Sequence, residues 1–451
     1  MADATPTGFA GPEEIDRALD AAQAAYARTR VAMGTERSEL LRRVAAEIGR
    51  RADDFAALIV AEAGKPVTLA RAEVQRARTT FALAADEAAL GLRDEPVAID
   101  ATPAGAGHSG VARRVPLGVI LGVTPFNFPL NLVAHKVAPC IATGNTMIVK
   151  PSPRTPRCAL LLGEVLAACG APPGQIVILP FDHARVSGLL RDPRVKMLSF
   201  TGSADIGWQL KREAVRQKVT LELGGNAACI VEADADWKKH APKLVAGAFA
   251  YAGQTCISVQ RILVQSGIYG AFREEFLRLT RENAVAGDPL DEATVVGPMI
   301  DAEGVARTLA RIREAETGGA RLLTPLRVEG LLLHPVVMEN VPRSAAIYRE
   351  EAFAPVAILE PYERFADALA AANDSRFGLQ AGVFTSDPTK ARAAFDALDV
   401  GAVLVNQVPA FRTENMPYGG VKDSGFGREG VRYAMDEMTD WKLLVTNERG
   451  D

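Results

Sequence analysis

From residue 117 onward the chain repeats one pattern: a short apolar run, a turn, then a helix-forming stretch. Apolar runs fall at 117–123, 146–149, 176–179 and 196–200, with helix-like segments at 159–168 and 203–215. A strand that is apolar on both faces must be covered on both faces, and a parallel sheet with returning helices provides that cover. The pattern therefore predicts an α/β, doubly wound parallel sheet. It resumes after Glu222, with runs at 228–231, 262–264, 381–384 and 402–405, which predicts a second sheet of the same kind. At 451 residues the chain is too long for one core. The first ninety residues instead carry helical periodicity at 15–31, 40–61 and 74–92, and Pro12 and Glu13 suit a helix start. Residues 96–110, rich in Ala, Gly and Pro, interrupt that region and read as exposed strand or linker.

Charge and cysteine usage exclude several classes. The formal net charge is −4, so no basic field draws nucleic acid. Arg42, Arg43, Arg50 and Arg51 sit among helix formers and acids and read as solvated helix faces. The five cysteines are irregularly spaced and form no CxxC pair, so neither a disulfide framework nor a zinc site is expected. The first eleven residues lack the charged and apolar regions of a signal peptide, and no apolar run is long enough to span a bilayer. The expected location is the cytoplasm.

A few segments carry chemistry. Residues 200–207 read FTGSADIG, a strand entering a Gly-Ser turn and a helix. The free N–H groups at that helix start suit a pyrophosphate, and Gly202 admits close backbone approach. The segment departs from G-x-G-x-x-G, and a plain strand-to-helix turn reads the same way. Cys256 follows Gly253, Gln254 and Thr255, a turn that can present a thiol; as a lone cysteine it also reads as buried filler. Glu222 lies in LELGGN at an apolar strand end, a costly place for a carboxylate without a partner or a function. Together a thiol and a carboxylate can perform covalent catalysis, with the acid activating water. In TPFNFP (124–129), Asn127 can donate to an oxyanion or satisfy a turn. Lys150 can hold ribose hydroxyls or a phosphate, or lie on the surface.

Taken together, these residues resemble the aldehyde dehydrogenase superfamily over nearly the whole length. Seven segments match in the family's order: 124–129, 150–152 (KPS), 200–207, 221–226 (LELGGN), 253–256 (GQTC), 350–356 (EEAFAPV) and 417–430 (PYGGVKDSGFGREG). Singly each is weak; seven in order, with 34 residues from Glu222 to Cys256, are specific. The resemblance implies an NAD- or NADP-dependent, non-acylating enzyme that oxidises an aldehyde to its acid. It implies that Cys256 is the nucleophile and Glu222 the base for the deacylating water. Asn127 then stabilises the oxyanion together with the Cys256 N–H. For the cofactor it implies Lys150 and Ser152 at the adenosine ribose, Gly202 and Ser203 at the pyrophosphate, Glu351 at the nicotinamide ribose and Phe353 beside it. Thr124, Pro125, Phe126, Leu223 and Gly224 belong to the same cofactor surface, and Phe128 to the substrate side. The implied architecture is a cofactor domain (1–97 and 116–223), a catalytic domain (224–435) and small oligomerisation strands (98–115 and 436–451), in a homodimer or homotetramer.

Departures from the family pattern bear on specificity. NAD-preferring members often carry Glu three residues after the lysine, where this chain has Pro153. The acid that repels a 2′-phosphate is missing, and Arg154 and Arg157 follow closely, so either NAD or NADP is open. Ala354 replaces a usual glycine, and the family's leading hairpin is not recognisable. The stretch 408–418 (VPAFRTENMPY) matches the family's substrate tunnel. Within it Arg412 can anchor an anionic or polar group; it can also pair with Glu414 or sit at the rim. The expected substrate is a small oxygenated aldehyde, such as lactaldehyde, glycolaldehyde, a semialdehyde or a phosphonate aldehyde. The competing readings are CoA-dependent acylation, ester hydrolysis as a side activity, and a catalytically silent binding protein of this fold.

Overall fold

The structure, a computed structural model, describes residues 8–92 and 94–447. Four helices lead: Pro12–Thr29, Gly34–Arg50, Ala52–Ala63 and Val67–Leu90. The single helix expected across 40–61 is instead two, broken at Arg51 (φ −100°, ψ 24°). Gly49 weakens the end of the first, and Asp53 and Asp54 in the first turn of the second favour a fresh start. The break turns Phe55 and Ile59 into the same core as Leu41, Val44 and Ile48.

That core covers one face of a six-stranded sheet. Its order is Gly425–Phe426, Lys218–Glu222, Val195–Thr201, Val119–Val123, Thr146–Lys150, Ile176–Ile178, parallel except for the first strand. Ile120, Met147 and Val149 point to the second, third and fourth helices, while Val119, Leu121 and Ile148 point to the opposite layer, which includes the first helix Pro12–Thr29, as the two-residue period of a strand requires. The strand order reverses between Val119–Val123 and Val195–Thr201. The crevice outside the carboxyl ends of these two strands is where open α/β sheets bind ligands. Residues 124–129 and 202–203 follow directly from those ends.

A second sheet of seven strands runs Arg321–Leu322, Val336–Glu339, Val356–Tyr362, Val259–Gln265, Ala227–Val231, Gln380–Phe384, Ala402–Val405, again parallel except at the first. This sheet is built from one continuous stretch, whereas the first needs residues far downstream. Gly425–Phe426 pairs with Lys218–Glu222, and Val431 and Met435 of the helix Val431–Glu437 enter the first core. The two sheets thus divide the chain earlier than a boundary at 435.

A third sheet, antiparallel, joins Asp94–Val97, His108–Pro116 and Thr439–Asn447. It takes in 94–97, which the sequence reading leaves with the cofactor region. On its last strand Trp441, Leu443, Leu444 and Val445 are exposed. Among the described residues no helix is long and apolar enough to cross a membrane.

Candidate active site

The chain reaches Cys256 through a strained turn. After the helix Trp237–Phe249, Tyr251, Ala252 and Gly253 take φ values of 55°, 54° and 64° in succession. For residues with a Cβ this left-handed region costs on the order of 1–3 kcal/mol each. The turn is held by the Tyr251 N–H, which donates to the Val295 carbonyl at 2.9 Å. A Cβ on Gly253 would lie 2.2 Å from the Ala354 carbonyl oxygen, and one on Gly225 would lie 2.2 Å from the Cys256 carbonyl oxygen. The LELGGN loop and the nucleophile loop therefore press together backbone to backbone. Asn127 Nδ2 donates to the Gln254 carbonyl at 3.0 Å, which fixes the amide beside Cys256 and leaves its second N–H uncommitted.

A cavity of about 690 Å³ joins these loops. Asn127, Phe128, Glu222, Cys256, Arg412 and Tyr418 line its inner part, and Phe128 packs edge-on against Tyr251. Asn127 Oδ1, Glu222 Oε2 and Arg412 Nε are buried without a hydrogen-bond partner. Buried polar atoms are nearly always satisfied, so this grouping marks polar capacity suited to a polar ligand and water.

The electrostatics of this region centre on four groups. Burial pushes the Cys256 thiol up to about 12; the Tyr418 hydrogen bond and Arg412 oppose the shift, and the Glu351 and Glu222 charges add to it. Burial and the neighbouring Glu429 charge hold Glu222 well above the usual carboxylate range. Glu429 lies well below that range despite its burial, because Lys136 (3.0 Å), His135 and Arg412 (3.3 Å) surround it. Arg412 is buried, not at a rim. Its Nη2 donates to Glu429 and lies 3.0 Å from His135 Nδ1, and its guanidinium stacks 3.5 Å above the Tyr418 ring. Glu414, the partner offered by sequence, is instead bound by Arg76 (2.7 Å) and His135.

The outer part of the cavity carries most of the remaining residues singled out from sequence. Pro125, Phe126, Gly202, Ser203, Leu223, Gly224, Glu351 and Phe353 line it. Ser203 immediately precedes the helix Ala204–Glu213, and its hydroxyl caps no helical N–H. Glu351 Oε1 accepts the Gly225 N–H at 2.9 Å, and burial pushes this carboxyl up to about 7. Phe353 (φ 48°) meets Phe126 edge-on at 5.9 Å. Thr124, Lys150 and Ser152 do not line the cavity. They sit on the adjoining strand ends, where the Thr124 N–H donates to the Lys150 carbonyl at 3.1 Å and Ser152 Oγ accepts from the Arg154 N–H at 3.2 Å. Arg154 turns away to Asp301 at 3.0 Å. An uncommitted serine hydroxyl at a helix start and glycines against the groove suit the pyrophosphate of a dinucleotide, and Arg307 and Arg311 line the same cavity beside Glu351.

Sequence reasoning missed several of these groups. Tyr418 and Glu429 lie inside the 417–430 segment, but nothing in its spacing shows that they approach Cys256 and Glu222. His135 and Lys136 had one signal: two basic residues in the otherwise apolar stretch LNLVAHKVAPC. Arg307 and Arg311 had only their four-residue helical spacing.

The model of the aldehyde dehydrogenase family matches residues 6–444. The chain belongs to the aldehyde dehydrogenase family. It is an NAD(P)-dependent oxidoreductase acting on aldehydes. A 3-sulfolactaldehyde dehydrogenase from Priestia megaterium is 38% identical over 445 residues, 98% of this chain and 92% of that protein. The crystal structure of aldehyde dehydrogenase 21 from Physcomitrella patens, in complex with the reaction product succinate, superposes with a TM-score of 0.95 at 40% identity, covering 98% of this chain and 92% of that one. The glyceraldehyde-3-phosphate dehydrogenase GapN of Methanocaldococcus jannaschii, complexed with NADP, gives 0.93 at 35% identity, covering 98% and 96%.

Proposed function

We propose that this aldehyde dehydrogenase oxidises a small aldehyde bearing an anionic or polar group to its acid, through a thioester on Cys256. The observation that carries the substrate class is Arg412. It is buried in the wall of the cavity that holds Cys256, and its Nε has no partner. An N–H of a fixed cation in a low-dielectric wall favours an anion or a strong acceptor. The relatives' named compounds, 3-sulfolactaldehyde and succinate, are of this class.

In this reading Cys256 Sγ bonds to the aldehyde carbon. The uncommitted N–H of Asn127 and the Cys256 N–H take the developing oxyanion; donors of this kind are worth roughly 10²–10³ in rate. A nicotinamide held here would supply the hydride acceptor that leaves the substrate as a thioester on Cys256, and its positive charge would favour the thiolate. Ser203, Glu351 and Phe353 orient the cofactor from the outer wall, and Lys150 holds it at the strand end beyond. Glu222, once ionised, removes a proton from water, whose oxygen attacks the thioester carbon; the C–S bond breaks and the acid leaves. The raised proton affinity of Glu222 makes it a stronger base than an exposed carboxylate. With a base for water in place, added CoA is not needed for turnover. Pro153 is exposed and carries no charge to repel a 2′-phosphate, so both NAD and NADP serve.

Cofactor reduction followed by absorbance over a panel of sulfonate, carboxylate, phosphonate, hydroxy and plain aliphatic aldehydes, with NAD and with NADP, tests this reading. The highest kcat/KM should fall on a small anionic or hydroxy aldehyde. Preference for a long aliphatic or aromatic aldehyde would overturn it. Arg412→Ala should raise KM for the best anionic substrate about 10- to 100-fold while changing KM for a plain aliphatic aldehyde far less. An unchanged KM for the anionic substrate would remove the anchor.

The small sheet supports assembly of identical subunits. The strand Thr439–Asn447 is an edge strand with Leu443, Leu444 and Val445 exposed, and such an edge pairs with another chain unless covered. A homodimer or homotetramer built on it should dissociate in Leu444→Glu, read by sedimentation velocity. A variant sedimenting like the parent would reject this surface.

A further inference from the structure

The Cys256 thiol lies in surroundings that oppose its ionisation. Glu222 and Glu351 both add negative charge near it, and the Asn127 amide spends one N–H on the Gln254 carbonyl. Among the described residues, the side-chain group hydrogen-bonded to Cys256 Sγ is the Tyr418 hydroxyl, at 3.1 Å. We propose that Tyr418 is a further catalytic residue, whose hydroxyl donates to Cys256 Sγ and stabilises the thiolate, and that Arg412 stacked on its ring strengthens this donor.

Three observations give the bond its direction and rigidity. A phenol is ordinarily a weaker acid than a thiol, and burial raises the Tyr418 phenol further, so the hydroxyl is the donor and sulfur the group that ionises. A hydrogen bond from a neutral hydroxyl to a thiolate is charge-assisted and stronger than one to a thiol, so it favours the ionised form. Second, Arg412 lies 3.5 Å from the ring centroid. A cation over the face withdraws electron density from the phenol and polarises its O–H. Third, the residue is fixed. The Tyr418 N–H donates to the Glu429 carbonyl at 3.0 Å, the Glu429 N–H donates back at 2.6 Å, and the ring packs with Ile257 and Leu379.

The bond acts at two points of the proposed reaction and transfers no proton at either. It stabilises the thiolate before attack on the aldehyde carbon. It acts again in deacylation, when the C–S bond breaks and its electron pair returns to sulfur, which accepts the same hydrogen bond. Only this kinetic consequence rests on the proposed function; the thiol's own acidity does not.

The test is alkylation of Cys256 by iodoacetamide as a function of pH, followed on the Cys256 peptide by mass spectrometry in the full-length protein. Tyr418→Phe should raise the midpoint by about one pH unit and lower the rate at neutral pH roughly tenfold, the expected loss of one hydrogen bond to a charged group. Arg412→Gln, with Tyr418 intact, should move the midpoint in the same direction by less. A Tyr418→Phe profile that superimposes on the parent's, at equal thermal stability, would overturn the proposal. Should Tyr418→Phe fold poorly, an Arg412→Gln profile identical to the parent's would overturn the ring-cation account, and thiolate absorbance of the parent would still report the midpoint. If the parent oxidises no aldehyde yet Tyr418→Phe shifts alkylation, the proposed function fails and the hydrogen bond stands.

Discussion

Cys256→Ser should lose aldehyde-dependent cofactor reduction by on the order of 10⁴-fold or more. The replacement keeps the shape, so the strained turn at Tyr251–Gly253 should hold and thermal stability should stay near that of the parent. What changes is chemistry. A serine hydroxyl ionises far less readily than a thiol, and burial raises the penalty for either group. Cofactor binding, read by protein fluorescence quenching, should survive, because Ser203, Glu351 and Phe353, the residues proposed to face the cofactor, are untouched. Retained activity in this variant would remove the thioester route altogether, whereas lost cofactor binding would point to collapse of the loop.

Glu222→Gln should separate the two halves of the reaction. The thioester still forms, so the first turnover should release about one reduced cofactor per Cys256. Steady-state turnover should then fall roughly 10²- to 10⁴-fold, the range for a lost general base. Rapid mixing resolves the burst, and absence of a burst with full steady-state activity would dismiss Glu222 as the base. The pH profile carries a signed corollary. Glu222 works ionised, and burial with the Glu429 charge raises its pKa, so kcat should fall with decreasing pH above the range of ordinary glutamates. In Glu429→Gln one raising charge is gone, and Lys136 and Arg412 turn their attraction on Glu222, so that limb should move to lower pH.

Much of the fold was legible because buried parallel strands leave an apolar signature of their own. Residues 119–123, 146–150 and 227–231 stand out because every side chain on them is buried. The break at Arg51 was not legible, since neither Gly49 nor the aspartates alone ends a helix. Nor was the return of 425–437 to the first sheet, which depends on contacts made some two hundred residues away in sequence. At the site, Cys256, Glu222 and Asn127 were readable as segments in order. Arg412 was readable as a charge, but not its partner: sequence proximity favoured Glu414, and the fold gives Glu414 to Arg76 and His135. Tyr418 was invisible as chemistry, because its role depends on one hydroxyl meeting one sulfur across 162 residues of chain.

The discontinuity of the first sheet has a consequence for biosynthesis. The seven-stranded sheet is complete once residue 405 has been made, and it can close on local material while the rest is still in the ribosome. The six-stranded sheet, although it begins first, lacks an edge strand and the helix Val431–Glu437 until residues 425–437 have been made. His108–Pro116, meanwhile, lacks its long partner Thr439–Asn447. The older half of the nascent chain must therefore wait for residues 425–447. Loss of the strand Thr439–Asn447 should act as an arrested assembly, leaving the six-stranded sheet and its helices as the part exposed to chaperones and proteases.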